Sequence, residues 1–234
     1  MKKILFLVLF GMLSQHSPAM TYSEEEVVCP IGGEKFIFQG AGSGTSFGRM
    51  LDFKPYGPIA APWPIAKCPG NGFVIYPEFT DEQIKQLEPY VLSEDYQKIQ
   101  TVESTHYLLY KLFEKLNYSK DIQISALLSA TWQVQEESYQ RYAQELLTLL
   151  TPSQPTKIED PYNALIRIEL NRRLGNFAQA QQEIKKIEQH KLDQDEQGTF
   201  IREYIKQQKA LINAKNTEPA EFKKQAQNSI SYVE

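Results

Sequence analysis

The chain of 234 residues has few of the side chains from which most metal and catalytic centres are built: 2 cysteines, 3 histidines and 2 tryptophans. Beyond residue 20 the only histidines are His106 and His190. The HExxH pattern, with which many zinc proteases hold their metal, is absent. These scarcities predict a protein that is not an enzyme and that carries no metal or cofactor.

Long basic runs are also missing, and the formal net charge is −4. Because nucleic-acid binding needs clustered Lys and Arg, we expect no nucleic-acid partner, and nothing in the sequence predicts a small-molecule substrate. The composition is that of an ordinary globular protein, with 41% hydrophobic and 23% charged residues. The length allows one or two modest domains with a buried core.

Only the N-terminus carries a long apolar run. Lys2 and Lys3 precede the apolar segment 4–13, and Ser17 and Ala19 place small residues where a signal peptidase requires them. We therefore predict a signal peptide over residues 1–19 and a periplasmic mature protein from Met20. The alternative is a short membrane anchor, although the run is too short to cross a bilayer comfortably. The residue directly after the cleavage site is Met20 and not a cysteine, so a lipoprotein is not expected.

The two cysteines, Cys29 and Cys68, each begin a Cys-Pro turn, CPIGG and CPGNG. Two complete CPxC turns would supply the four thiolates of a zinc site, but Gly32 and Asn71 stand where the second cysteines would be. In an oxidising compartment the pair is expected to form a disulfide. The alternatives are two free thiols or, less favoured, zinc. Closing a loop of about 40 residues contributes roughly 4 kcal/mol on a chain-entropy estimate.

Residues 20–80 are predicted to form a small β-rich module around this disulfide. Residues 34–39 alternate as a strand should, and residues 72–79 are predicted to form a second strand. The glycine-rich segment 40–48 lacks the lysine of a phosphate-binding loop and is interpreted as a loop between strands.

The proline-rich segment 51–67 contains the two candidate partner-binding residues, Tyr56 and Trp63. Its four prolines exclude helix and favour extended backbone. Trp63 lies between two of them. It is either an exposed recognition aromatic or, as is commoner, a plug of a small core.

Residues 81–216 are predicted to be α-helical, with residues 217–234 as a polar tail. Thr80 is a helix cap followed by acidic residues. Apolar residues at helical spacing predict one helix over 94–116, a long helix over 121–150 and a last helix over 193–213. Two prolines in segment 151–156 end the long helix.

The most regular part of the helical region is the segment 160–189. Asp160 and Pro161 begin a helix whose apolar residues form one predicted stripe, and a Gly-Asn turn separates it from a second helix. The residues on which this helical hairpin depends are Leu174, Gly175, Phe177 and Ala180. A hairpin of this tetratricopeptide type needs neighbours to bury its faces. The predicted fold is therefore mainly α, with tetratricopeptide-like hairpins that favour a docking surface over a catalytic pocket.

The paired Cys-Pro turns, the segment HYLLYKLFEKL and the segment NRRLGNFAQA at 171–180 together resemble the DUF2225 family. That resemblance spans most of residues 27–190. It implies a zinc-ribbon-like segment joined to tetratricopeptide-like helices, but no chemistry. The loss of half the cysteines departs from the pattern and argues against metal.

The exported form, with GSGTSFGRMLDFKPYGPIAAPWP between its cysteines, is also similar to periplasmic accessory proteins of Acinetobacter-type type VI secretion systems. This second resemblance implies a protein partner in the membrane complex and a role in its assembly or localisation. The chain is then a scaffold or adaptor.

The alternative function is an exported hydrolase acting on the cell wall. Its candidate groups are Glu136, Glu137 and His106, because paired carboxylates serve glycosidases and a histidine can act as a base. The acidic run at 24–26 is interpreted as a solvated charged segment.

Overall fold

The computed structural model describes residues 20–151, 160–189 and 193–223. Within these residues there are four short strands and eight helices. The strands are β1 (Thr21–Val28), β2 (Lys35–Ser43), β3 (Gly48–Arg49) and β4 (Pro55–Tyr56). The helices are α1 (Asp81–Val91), α2 (Glu94–Ile99), α3 (Thr105–Lys115), α4 (Lys120–Thr131), α5 (Glu136–Leu150), α6 (Pro161–Arg173), α7 (Phe177–Glu188) and α8 (Glu196–Asn213).

The prediction of a mainly α fold with a small β-rich N-terminal module is confirmed. No helix among the described residues is both long and apolar enough to cross a membrane. The predicted signal peptide, residues 1–19, lies outside the described residues.

The disulfide predicted between Cys29 and Cys68 is present, with the two Cα atoms 5.6 Å apart. Both cysteines are buried in the first hydrophobic core, where Ile31 and Phe73 accompany them. Asn71 joins the two Cys-Pro turns, because its side-chain nitrogen donates to the Ile31 carbonyl at 2.7 Å. The position that would carry a further metal ligand therefore carries a structural hydrogen bond instead.

Strands β1 and β2 form an antiparallel hairpin that pairs Val28 with Lys35 and Glu26 with Ile37. We call this hairpin the arm. Part of β2 was predicted from the sequence. Strand β1 was not, because its three consecutive glutamates look like a charged segment with no strand pattern. Strand β2 also extends to Ser43, so the start of the glycine-rich segment is strand and not loop.

The proline-rich segment returns on itself as a second hairpin through β3 and β4. Its ladder continues beyond them, with Thr45 donating to the Pro58 carbonyl and Phe47 to the Tyr56 carbonyl, both at 2.9 Å. The turn at its end, residues 50–54, is called the hairpin tip.

The prediction of a strand over residues 72–79 is wrong. Only an isolated bridge between Lys67 and Val74 forms there. The chain then makes a turn in which Phe79 donates to the Tyr76 carbonyl at 3.0 Å.

Two predicted helices are each divided into two. The helix expected over 94–116 is broken because the Ser104 side chain caps α3 by accepting a hydrogen bond from the Tyr107 amide. The helix expected over 121–150 is broken after Thr131, and α5 begins at Glu136, which has φ of +50°. Each break divides one predicted helix into two shorter helices. A one-dimensional apolar spacing does not register these breaks.

The predicted hairpin at 160–189 is confirmed as α6 and α7, but the single apolar stripe on α6 is wrong. Ile166 and Leu170 lie in the first core, with the disulfide and residues of α1 to α5. Leu165 and Ile168 lie in a second core with α7 and α8. Helix α6 is therefore buried on two sides, and it joins the two halves of the helical region.

The C-terminal segment was expected to be a polar tail from residue 217. Instead, residues 220–222 pair with the second hairpin: Leu51 donates to the Ala220 carbonyl and Phe222 to the Arg49 carbonyl, both at 2.9 Å. The Phe222 ring also packs on Phe200 of α8, with centroids 4.8 Å apart. The rest of the predicted tail, from residue 224, lies outside the described residues.

Candidate protein-binding surfaces

The hairpin tip packs against helices α6 and α8, and this contact fixes the β-rich module on the helical region. Leu51 is fully buried within the second core. The Phe53 ring stacks on the Tyr204 ring of α8, with centroids 6.0 Å apart and planes 7° apart. Phe53 adopts φ of +65°, which is unfavourable for a residue with a side chain and is held here by the surrounding packing.

Polar contacts hold the same tip. The Tyr204 hydroxyl lies 2.7 Å from the Leu51 carbonyl and 3.0 Å from the Leu165 carbonyl. The buried carboxylate of Asp52 accepts from the Lys54 amide at 3.0 Å and faces the Arg173 guanidinium at 3.5 Å. Burial raises the pKa of Asp52, and the charge of Arg173 acts in the opposite direction.

Arg173 continues this network into α5. Its guanidinium lies 3.8 Å from the centre of the Tyr139 ring. The amino group of Lys54 donates to the Trp132 carbonyl at 3.0 Å, at the break between α4 and α5. The tip therefore bridges α5, α6 and α8, and the residues that it contacts are far apart in the sequence.

A buried ion pair lies on α6 beside the tip. Arg172 and Glu169 are almost completely buried and form two hydrogen bonds, of 2.7 and 3.0 Å. Gln208 of α8 donates to Glu169 at 2.7 Å, and Arg172 donates to the Asn216 carbonyl at 2.6 Å. Desolvation raises the pKa of Glu169 despite the adjacent Arg172. Breaking such a pair by removing one partner leaves a buried charge uncompensated and is strongly destabilising.

A second network of side-chain contacts joins α3 to α5. Glu145 accepts from the hydroxyls of Tyr107 and Tyr110, each at 3.0 Å, and the Tyr107 ring stacks on Tyr142 at 4.3 Å. Arg141 lies over the rings of Tyr107 and Tyr142. The carboxylate that joins these tyrosines was not predicted from the sequence. The spacing of aromatic and acidic residues on two separate helices gives no sign of their contact.

The two predicted partner-binding residues differ in availability. Trp63 is 45% exposed, so the expectation that it plugs a core is wrong and the interpretation as a recognition aromatic stays open. Tyr56 is half-buried, and its ring covers Gly48 so closely that a Cβ added there would lie 2.9 Å from the ring. Tyr56 therefore serves the second hairpin as a packing residue.

The hairpin residues predicted from the sequence have structural positions. Gly175 has φ of +77°, as expected for a left-handed turn between helices. Ala180 is fully buried in the second core, while Phe177 packs at the edge of that core and Leu174 at the edge of the first.

The residues of the hydrolase alternative differ in their exposure. His106 is buried and its ring nitrogen lies 3.1 Å from the Gln133 side-chain oxygen, and burial lowers its pKa. Glu136 and Glu137 are exposed at the start of α5. Among the described residues, no three His, Cys, Asp or Glu side chains lie where they could share a metal ion.

The pentapeptide GTSFG at 44–48 matches the G-x-S-x-G pattern, which sequence reasoning overlooked. In hydrolases this pattern forms a strand-to-helix turn that exposes the serine. Here the segment leads into β3, and the Ser46 hydroxyl lies 2.7 Å from the Gly48 carbonyl, to which it donates. The turn that activates such a serine is therefore missing from its surroundings.

The arm is the most exposed regular element of the described chain. On β2, Phe36 and Phe38 are half-buried, and Phe36 packs on the first core. Three apolar residues are directed away from the core: Tyr22 is 69% exposed, Val28 51% and Ile37 61%. The strand register places these three residues on one face, since Ile37 pairs with Glu26 and side chains alternate along β1.

Comparisons with known proteins add no relative: no family model, no curated protein and no solved structure matches the chain.

Proposed function

We propose that the protein is a non-enzymatic adaptor that is exported to the periplasm and binds a protein partner there through the outward face of the arm. The observation that carries the proposal is the exposure of Tyr22, Val28 and Ile37 on one face of a two-stranded hairpin. Val28 and Ile37 are diagonal neighbours on that face, and Tyr22 lies further along it. Exposed apolar side chains that share one face are a feature of binding surfaces.

The arm has a rigid support. Its base is held by the disulfide between Cys29 and Cys68, and the module that contains it is held by the hairpin tip in the second core. An isolated two-stranded hairpin is only marginally stable in water, so an exposed arm gains stability when a partner covers it. This combination suits an element that presents itself to another protein.

Export is supported by two observations. The disulfide favours an oxidising compartment, and residues 1–19 have the pattern of a cleavable signal. The resemblance to accessory proteins of type VI secretion systems makes a component of the envelope-spanning membrane complex the partner to test first. A role in assembling or localising that complex is part of the same proposal.

The test is affinity capture with purified mature protein and detergent extracts of the envelope, read by quantitative mass spectrometry. The triple variant Tyr22→Ser, Val28→Thr and Ile37→Thr removes the apolar face of the arm and leaves its charges unchanged. The control is Val102→Thr, because Val102 is 77% exposed but lies on a turn between α2 and α3.

We expect a component of the membrane complex to be captured by the wild-type protein and the control and to be lost with the triple variant. Equal capture by all three proteins would exclude the arm as the binding face. Failure to capture any envelope protein reproducibly would exclude the adaptor function. A fusion to alkaline phosphatase, which is active only after export, tests the location independently.

A further inference from the structure

Besides its apolar face, the arm has an open backbone edge, which is the outer side of β1. Among the described residues, β1 pairs only with β2, so one side of its backbone has no strand neighbour. The eight residues of β1 include no proline or glycine, whereas β2 contains Gly40 and Gly42. An open edge of this length, with every amide N–H present, is a template for strand addition.

The edge is strongly acidic. Glu24, Glu25 and Glu26 are consecutive and exposed, and β1 contains no Lys or Arg. Within the described chain, the only ion pair to these glutamates joins Glu26 to Lys35 at 3.0 Å, while Glu24 accepts from Gln39 at 2.8 Å. Most of the negative charge of these glutamates is therefore not paired with a cation of the described chain and is available to a binding partner.

This charge disfavours a second copy of the chain as that neighbour. In the full-length antiparallel register of two β1 strands, Glu24 would lie opposite Glu25 of the other copy. Like charges that face each other across strands destabilise the pair, and natural proteins use charged edges to prevent such self-association. If the added strand instead carries Lys or Arg opposite these glutamates, the charge interaction between the two strands is attractive.

We infer that the outer edge of β1 binds an extended, basic segment of a partner protein by strand addition. The inference rests on the proposed adaptor function and adds the mode of binding and the charge of the partner. Alternate lysine or arginine residues in that segment would lie beside Glu24 and Glu26, which share the outward face of the arm. The backbone of β1 supplies the hydrogen bonds, and the glutamates supply the selectivity.

The probe is a blocked peptide, acetyl-Thr-Lys-Val-Lys-Val-Lys-Val-Lys-Thr-amide, added to the mature protein at low ionic strength. One control peptide replaces each lysine by glutamate. Two further control peptides carry N-methyl groups on alternate backbone amides, one peptide on the odd-numbered residues and the other on the even-numbered residues. Whichever set of peptide amides donates hydrogen bonds to β1, one of these two peptides lacks it. Calorimetry measures affinity, and amide hydrogen exchange locates the contact.

The matched protein variants carry equal changes of charge. One has Glu24→Gln, Glu25→Gln and Glu26→Gln in β1, and the control has Glu82→Gln, Glu94→Gln and Glu218→Gln, which are exposed elsewhere. We expect binding of the lysine peptide with slower exchange in residues 21–28. We also expect affinity about tenfold weaker for the β1 variant or the acidic peptide, as several cross-strand charge pairs would give. The control variant should bind as the wild type does.

Three results would overturn the inference: equal binding of the acidic peptide, no effect of N-methylation in either phase, or protection confined to the helices. Self-association of the wild type through β1, detected by sedimentation and exchange, would overturn it as well. If envelope capture depends on Tyr22, Val28 and Ile37 but not on the β1 glutamates, the inference fails and the adaptor function stands. If the peptide binds β1 but no envelope protein is captured, the adaptor function fails instead.

Discussion

The hydroxyl of Tyr204 donates to the carbonyl of Leu51 at 2.7 Å, across 153 positions of sequence. This contact joins the last described helix to the tip of an N-terminal hairpin. Since both residues are fully buried, no solvent replaces the bond if it is lost. The β-rich module and the helical region are therefore one packed unit at this point, and the contact can be tested directly.

The variant Tyr204→Phe removes the hydroxyl and keeps the ring that stacks on Phe53. We expect a loss of about 2 kcal/mol in the free energy of unfolding, because two buried carbonyls, of Leu51 and Leu165, lose their shared donor. Urea denaturation measures the change. The control is Tyr22→Phe on the exposed arm, which should leave the midpoint unchanged; an equal midpoint for Tyr204→Phe would show that the hydroxyl contributes nothing.

Reduction of the disulfide should lower the melting temperature of the wild type. The closed loop spans 39 positions, for which chain entropy gives about 4 kcal/mol. The double variant Cys29→Ser and Cys68→Ser should melt at a lower temperature and should not respond to reductant. Calorimetry with and without reductant measures both effects, and an equal response of the two proteins would contradict a structural disulfide.

The stability of the protein should fall as the pH drops below the ordinary pKa of histidine, about 6.5. Burial lowers the pKa of His106 in the folded state, so the unfolded chain takes up a proton at a higher pH than the folded chain does. The stabilising contribution of neutral His106 is fully present above the pKa of the unfolded state, and it is lost as the pH falls from that value through the lower pKa of the folded state.

The matched variant for this prediction is His106→Asn, which removes the titrating ring. Urea unfolding at pH 7.5 and at pH 5.5 should show a smaller acid-induced loss of stability for the variant than for the wild type; equal losses would contradict the prediction. The buried carboxylates act with the opposite sign. Burial raises the pKa values of Asp52 and Glu169, so their contributions are present at low pH and decrease as the pH rises.

Gly175→Val should destabilise the α6–α7 hairpin, because φ of +77° is unfavourable for a β-branched residue. No heavy atom lies within 4 Å of the position of an added Cβ, so the cost comes from the backbone and not from a clash. We expect a loss of about 1 to 2 kcal/mol in unfolding free energy. Gly175→Asn should cost less, since asparagine tolerates the left-handed region; equal stability of all three proteins in urea would show that the turn relaxes without cost.

Sequence predictions that depend on interactions between residues close in the sequence were more accurate than those that depend on distant residues. Thr80, Asp160 and Gly175 act on backbone groups a few residues away, and all three take the predicted roles at helix ends. The breaks after Ile99 and Thr131 were missed because apolar residues at helical spacing continue on both sides of each break. Strand β1 was missed because its glutamates hide the alternation that usually indicates a strand.

The sequence by itself determined the helical character of the described residues between 81 and 216, the hairpin at 160–189 and the pairing of the only two cysteines. The helices and the hairpin depend on interactions between residues that are close in the sequence. The disulfide could be predicted because each cysteine has only one other cysteine with which to pair. Only the tertiary structure decided that Leu51 enters the second core, that Arg172 and Glu169 are buried together, and that residues 220–222 pair with the second hairpin. Each of those contacts joins segments that are far apart in the sequence or buries charges that local pattern assigns to the surface. Their positions follow from how the helices pack, which no local window of residues contains.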